Sequence, residues 1–384
     1  MKQATLKLTA LVLLLAGVQG TYAQSSQPSE ISVVTSAVPF LRISPDARSA
    51  GMGEVGIATS PDSYSGFWNL GKLPFSDKKM QIGATYTPWL SDLDLKDVYL
   101  VSLAGYYKLD DMQTVSASLR YFSLGNIEFT DADANSLGSQ RPREFAFDAG
   151  YSRKLSNKIG MGIALRYISS DLASGTFNGS TFKKGSSVAG DIHVFGNGLK
   201  SDGSGFNWGA TLSNLGSKIS YGDDANQKDY IPANLGLGAT YTKVFDADNK
   251  ITFGLDLNKL MVPIPPRFDG DSAAYLQDVK DYREQGVVSS WFKSFGDSKG
   301  QGGELKEFTI STGAEFNYKD QFMFRAGYFY ESPIKGNRKY FTLGAGLKYQ
   351  MIALNISYLL PSGSGTNRNP LSNTLRFGLQ FDMK

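Results

Sequence analysis

From Met80 to Met383 the sequence repeats a single pattern, an alternation of apolar and polar residues with a period of two. Met80, Ile82, Ala84 and Tyr86 interleave with Gln81, Gly83, Thr85 and Thr87. Leu375, Phe377, Leu379 and Phe381 interleave in the same way with Arg376, Gly378, Gln380 and Asp382. Successive side chains of a strand point to opposite faces, so this period describes strands with one apolar and one polar face. Further strands are expected over Val98 to Lys108, Gln113 to Ser123, Glu144 to Arg153, Lys158 to Ser169, Ser187 to Phe195, Gly205 to Asn214 and Asn234 to Val244. The series continues with Lys250 to Lys259, Phe308 to Tyr318, Phe322 to Glu331, Tyr340 to Tyr349, Met351 to Leu360 and Ser372 to Met383. That makes fourteen strands, most of about ten residues, the length a tilted strand needs to cross a bilayer.

A sandwich in water would alternate too, and the connections decide between them. Long ones (Pro88 to Asp97, Leu124 to Arg143, Ser170 to Ser186, Leu215 to Ala233, Leu260 to Glu307, Ser332 to Lys339, Pro361 to Leu371) alternate strictly with short ones such as Leu109 to Met112, Lys154 to Asn157, Phe245 to Asn249 and Lys319 to Gln321. A rim of tight turns and a rim of loops is the asymmetry of outer-membrane barrels, whose short turns are periplasmic. Closure also removes the edges that an open sheet would expose. The expected fold is all-β: a 14-stranded antiparallel transmembrane β-barrel over residues 80–384, apolar outside and in contact with outer-membrane lipid. Charges on the polar phase must then face the lumen, namely Arg120, Asp148, Arg166, Asp191, Asp256, Glu315, Arg325, Lys348 and Arg376. Tyr86, Tyr107, Tyr151, Tyr167, Tyr241 and Tyr349 fall on the apolar phase near strand ends, as an interfacial girdle requires.

Residues 1–23 read as a secretory signal. Lys2 and Lys7 precede an apolar run from Leu8 to Val18, and Thr21-Tyr22-Ala23 offers a small-residue cleavage site between Ala23 and Gln24. Its loss takes the formal charge from +3 to +1. The remaining cations are scattered, so no nucleic-acid footprint is present. Without cysteine there is no disulfide framework and no thiolate metal site.

Residues 24–79 precede the barrel and contain a compact glycine-rich stretch from Ile43 to Asp62. Ser44-Pro45-Asp46 suggests a helix start capped by Ser44, with a short helix over Asp46 to Met52. Gly51-Met52-Gly53-Glu54-Val55-Gly56 formally fits the dinucleotide fingerprint, but the strand before it and the helix after it are missing. Glycine also allows a backbone to lie close against a wall. The stretch is therefore expected to be a plug folded into the lumen, carried by Arg42, Pro45, Asp46, Arg48, Gly51, Gly53, Gly56, Trp68 and Asn69. Arg42, Asp46, Arg48 and Glu54 would pair with lumenal charges. His193, the only histidine, is expected to face the lumen beside Asp191 in a hydrogen-bonding role, and no catalytic constellation or cofactor site accompanies it.

The connection 260–307 is too long for a mere link and opens on Pro263-Ile264-Pro265-Pro266. Helix-compatible sequence runs between Ser272 and Phe295. Phe268, Tyr275, Leu276, Trp291, Phe292 and Phe295 are many apolar groups to leave at an extracellular rim, and they mark a partner-binding element.

Asp46-Ala47-Arg48-Ser49-Ala50-Gly51-Met52-Gly53, then Gly56 and Ala58, then Trp68-Asn69, resembles the N-terminal signature of the FadL-like outer-membrane barrels, and within them the PorV family of type IX secretion. Val38 to Asp46, Phe122-Ser123-Leu124-Gly125, Asp148 to Leu155 and Ser357 to Pro361 carry the same resemblance. One departure is Leu70-Gly71, where the wider family usually has Pro-Ala and a proline-fixed exit from the plug. The resemblance implies a plugged barrel with both termini periplasmic and no enzymatic activity. It further implies a shuttle that accepts cargo with C-terminal signal domains from a translocon barrel and delivers it to a surface attachment complex with a sortase-like protein. The alternative within the wider family is uptake of a hydrophobic small molecule, which calls for an apolar pocket near the plug.

Overall fold

The structure, a computed structural model, describes residues 33–89, 95–130, 136–173, 175–177, 180–222, 228–268, 270–298, 303–360 and 373–383. The expected cleavage site at Ala23 and Gln24 lies outside them. Fourteen antiparallel strands close into one barrel. In chain order they are β1 (Met80–Pro88), β2 (Val98–Lys108), β3 (Gln113–Leu124), β4 (Arg143–Lys154), β5 (Ile159–Asp171), β6 (Gly185–Gly196) and β7 (Gly205–Gly216). The second half comprises β8 (Asn234–Val244), β9 (Asn249–Leu260), β10 (Phe308–Tyr318), β11 (Phe322–Tyr330), β12 (Lys339–Tyr349), β13 (Ile352–Leu360) and β14 (Leu375–Met383). Each pairs with its chain neighbour, and β1 closes on β14 with Met80 opposite Met383. In hydrocarbon every backbone N–H and C=O needs a partner within the protein, and closure provides one for the edge strands.

The two faces divide as the period demands. On β5, Met161, Ile163, Leu165 and Tyr167 are exposed on the outside, while Ala164, Arg166 and Ile168 are buried within. The six girdle tyrosines are all on the exposed face.

Several expectations need correction. Three of the long connections contain their own two-stranded hairpins, Ile127–Thr130 with Ser136–Gln140, Gly175–Phe177 with Ser180–Phe182, and Ile219–Ser220 with Lys228–Asp229. They are too short to show a period. The alternation of connection lengths is not strict either, since Asn197–Ser204 on the turn rim is as long as Glu331–Arg338 on the loop rim. The last strand starts at Leu375 rather than Ser372, which lies outside the described residues. The mature N-terminus that the resemblance puts in the periplasm lies outside the described residues; among them the chain begins at the loop rim, where Ala37 N–H donates to the Tyr230 carbonyl at 2.9 Å. From there the N-terminal segment descends through the lumen to enter β1 at the turn rim.

Leu165, at the middle of β5 and 68% exposed, tests which face meets lipid. Leu165→Arg is expected to lower the unfolding free energy in lipid vesicles by roughly 2–4 kcal/mol, the cost of a cation near the bilayer midplane. An unchanged denaturation midpoint would place that face away from lipid.

Candidate functional site: a plugged lumen beneath an apolar rim

The plug begins at the outer mouth. Phe40 and Leu41, in a short 3-10 turn at Pro39–Arg42, pack with Val98, Leu100, Phe122, Ala146 and Ile168 into an apolar seal. Arg120 supports it, donating to the Leu41 carbonyl at 3.0 Å with its guanidinium 4.9 Å from the Phe67 ring centre.

Below the seal comes helix α1 (Ala47–Gly51). Its cap is Asp46 rather than Ser44. The carboxylate accepts from Ser49 N–H at 2.8 Å and from the Trp68 indole at 2.8 Å, so one side chain both starts the helix and ties it to the second half of the plug. Ser44 instead donates to the Asp46 carbonyl at 3.4 Å, and Pro45 is buried ahead of the cap. The helix ends in a turn with both Gly53 and Glu54 at φ 69°. Residues 47 to 57 then pass the wall in reverse strand order, from Gly378 of β14 beside Ala47 to Gly238 of β8 beside Ile57. Inward-facing glycines admit the plug backbone: a Cβ on Gly327 would stand 2.1 Å from Gly53 N, and one on Gly313 2.2 Å from the Met52 carbonyl oxygen.

Polar anchors fix this band. Asp256 of β9 accepts from the N–H groups of Gly56 and Ile57 at 2.7 and 2.9 Å. Thr342 Oγ1 accepts from Gly53 N–H at 2.8 Å. Arg48 donates to both oxygens of Glu315 at 3.0 and 2.8 Å and pairs with Asp62 at 3.0 Å, while Arg325 holds the same Glu315 at 2.7 Å. Of the four plug charges expected to pair with wall charges, only Arg48 does so. Asp46 is satisfied within the plug, Glu54 accepts from the Tyr340 hydroxyl at 2.8 Å, and Arg42 makes no ion pair among the described residues.

Further down, a short helix α2 (Ser65–Trp68) leads to Asn69, whose amide donates to the Val194 carbonyl at 2.9 Å and whose oxygen accepts from Gly71 N–H at 2.9 Å. Thus Asn69 starts the 3-10 turn Leu70–Phe75, which opens on Leu70-Gly71. Gly71 suits this exit, because a Cβ there would lie 2.8 Å from the Gly160 carbonyl. His193 serves the same join, its Nδ1 accepting from Leu70 N–H at 2.8 Å. The buried Lys72 staples the plug to itself, donating to the Gly56 carbonyl at 2.6 Å and to Thr59 at 2.9 Å.

The other lumenal charges form separate groups. Arg166 pairs with Asp148 and, at 2.9 Å, with Asp191, and it also meets Asn214; Arg120 lies 3.6 Å from Asp148. Lys348 reaches Asp382 near the turn rim. Arg376 is buried with no ion pair among the described residues.

On the outer rim, the connection between β9 and β10 folds into helices α3 (Ser272–Glu284) and α4 (Val287–Lys293). Asp271 caps α3 through Ala273 and Ala274 N–H at 2.9 and 3.2 Å. Its other end rests on the neighbouring loop: Lys218 donates to the carbonyls of Arg283 and Gln285 at 2.7 and 2.9 Å, and the Tyr230 and Tyr282 rings meet edge to face. A cation at these carbonyls suits the negative helix end. The base of the insertion is clasped by Lys259, Glu304, Glu307 and Lys335, with Lys335 to Glu307 at 2.6 Å. Asp297 completes a convergence of three carboxylates there, two of which, Glu304 and Glu307, are paired with Lys259 and Lys335. Phe268, Leu276, Val288, Phe292 and Phe295 are exposed, Phe292 by 75% and Phe295 with Lys259 Nζ 5.1 Å from its ring centre; Tyr275 and Trp291 are half-buried.

A family model described as type IX secretion system protein PorV matches residues 25–267. The chain belongs to the PorV family. Its signature stretch is the plug just described, and α3 and α4 lie beyond the matched residues. The PorV-family barrel is therefore an outer-membrane protein of a Gram-negative bacterium, of the type IX secretion class. No curated protein sequence matches it. Among solved structures it is similar in fold to the toluene transporter TodX of P. putida, at 13% identity and TM-score 0.50, covering 88% of this chain and 98% of TodX. The Ralstonia pickettii toluene transporter TbuX is similar to the same degree, at 11% identity, TM-score 0.50 and the same coverage. At these identities the likeness concerns the barrel architecture, which is that of the FadL-like proteins.

Removing Arg48 should show whether plug and wall act as one unit. Arg48→Met leaves Asp62 without its cation and Glu315 with one partner, and is expected to destabilise the folded barrel by about 3–5 kcal/mol. Denaturant unfolding of the purified protein, with proteolysis of the plug as a second reading, would measure it; wild-type stability would mean the pair contributes nothing net.

Proposed function

We propose that this PorV-family barrel receives cargo proteins bearing C-terminal signal domains from the translocon barrel and delivers them to a surface attachment complex that includes a sortase-like protein. The family match carries the reading. The geometry supports it in one respect: the lumen is occupied by a plug anchored to wall strands from β5 round to β14, so a folded partner can engage only the rim. There α3 and α4 present Leu276, Val288 and Phe292 outward on a base clasped by salt bridges. Exposed apolar side chains on a fixed support can act as interface anchors, where a few residues carry most of the binding energy.

Uptake of a hydrocarbon, the activity named for TodX and TbuX, finds less support. The space left between the outer seal and the plug is only about 80 Å³. It is lined by Arg42, Arg166, Arg338, Asn214, Asn258 and Thr309 as well as by Leu41, Ile57, Phe67, Trp68 and Phe329, so its small size, rather than its polarity, is what disfavours a hydrocarbon there.

Deleting the gene is expected to leave proteins with C-terminal signal domains trapped in the periplasm or unattached at the surface, scored by fractionation and surface labelling. Normal export would sink the reading. Shortening 260–307 should preserve the heat-modifiable folded barrel while reducing co-purified cargo or partner by about tenfold or more, the loss of at least one hot spot. Unchanged recovery would remove that insertion from the mechanism.

A further inference from the structure

Arg42 stands at the neck between two spaces. Beneath it is the small chamber above the plug; above it a cleft of about 360 Å³ opens between residues 33–39 and the connection from β11 to β12. Arg42 lines both, and it is half-buried. The cleft holds three cations and two carboxylates. Lys335 is held by Glu307 at 2.6 Å, and Arg338 by both oxygens of Glu331 at 2.8 and 2.9 Å. Those pairs use both acids. Arg42 is left with no hydrogen bond or ion pair among the described residues, and Glu331 and Glu54 act on it only from a distance. Burial and the like charge of Arg338 push its guanidinium down to about 10, so an added anion there would be stabilising.

The second observation is the backbone beside it. Val33 to Ser36 line the same cleft outside any helix or strand, and none of their N–H or C=O groups has a hydrogen bond among the described residues. The first pairing comes at Ala37, with Tyr230. A guanidinium prefers a carboxylate, which it can bind through two parallel hydrogen bonds. The cleft's own lining has one cation more than it has carboxylates, with Glu54 in the chamber below offsetting part of it, which suits a monoanion better than a dianionic phosphate. Open backbone groups alongside suit another polypeptide, whose amides can pair with them.

We infer that the cleft receives the C-terminal end of a polypeptide, its terminal carboxylate on Arg42 and its last residues paired with the backbone of Val33 to Ser36. This rests on the reading that the rim accepts polypeptide cargo, and it assigns to one residue the recognition of where that polypeptide ends. It also gives the start of the plug a task apart from sealing, since the segment from Val33 to Arg42 forms one wall of the cleft.

The test uses the full-length barrel in detergent and a fluorescently labelled pentapeptide, Gly-Ser-Val-Ser-Val, as free acid and as C-terminal amide, with acetate as competitor. The free acid is expected to bind, and the amide to bind about tenfold more weakly or worse, as loss of a charged hydrogen-bond pair predicts. Arg42→Gln should abolish the preference for the free acid, and Arg42→Lys should keep part of it. Equal binding of acid and amide by the wild-type protein, or no binding of either, would overturn the inference without need of a variant. Acetate competing as well as the peptide would also overturn it, by pointing to a free small carboxylate as the ligand. Cargo with a blocked C-terminus that still co-purifies with the barrel would remove this site while leaving the shuttle reading intact; export unaffected by gene deletion would remove the reading itself.

Discussion

Glu315 lies between two guanidiniums, Arg325 from the wall and Arg48 from the plug, and Arg48 reaches on to Asp62. Two cations and two anions are thereby balanced in the middle of a barrel whose outside is hydrocarbon-facing. On another flank, Arg120 and Arg166 balance Asp148 and Asp191, with Asn214 taking a remaining donor. Buried charges are tolerated only when paired and hydrogen-bonded, and removing one partner costs far more than the pair contributes. The charges of the second quartet all come from the wall, although Arg120 also donates to the Leu41 carbonyl of the plug. The first is completed by the plug, and Asp256 likewise takes its hydrogen bonds from the plug, one of its oxygens accepting from two plug amides. Much of the stability of this lumen therefore depends on the N-terminal segment being in place.

Interlocking of this kind explains which parts of the structure could be seen in the sequence. The strands were legible because lipid outside and polar groups inside impose the period of two on every one of them; Val98–Lys108, Asn234–Val244 and Phe308–Tyr318 have the bounds the alternation gives. The inward phase of Arg166, Asp256 or Glu315 was legible for the same reason. Their partners were not. Arg48 and Glu315 are 267 positions apart, and nothing local to either residue names the other. The same holds for His193, where alternation gives the face but not the Leu70 amide it accepts from. Ser44 was a plausible cap by composition, but Asp46 prevails because its two oxygens can serve both Ser49 and Trp68. Capping preference alone cannot see the second of these bonds.

Glycine in this chain reports on a different constraint. Gly313 and Gly327 sit on adjacent strands directly opposite one another, in a barrel that on strand propensity alone would favour branched residues there. Their value lies in what passes over them, since the Met52–Gly53 backbone runs closer to the wall than any Cβ would allow. Glycines on the plug and glycines on the wall are thus two halves of one contact. A fingerprint that looked like a nucleotide loop from one side is the mark of close approach from both.

The direction of the plug has a consequence for where function can reside. A segment that started at the turn rim could be withdrawn toward the periplasm without disturbing the outer mouth. This one is seated at the loop rim by Ala37 on Tyr230 and by the packing of Phe40 and Leu41, and it leaves the lumen at the opposite end through Phe75 against Phe195. Opening a passage would require breaking the outer apolar seal, the Arg48 pairs and the amide bonds to Asp256 in the same event. Because these lie along one continuous stretch of chain, their costs accumulate rather than offer alternatives. These contacts tie the outer mouth to the wall along the whole length of the plug. The clasp of Lys259, Glu307 and Lys335 under α3 and α4, and the cleft beside Arg42, both lie on that outer rim.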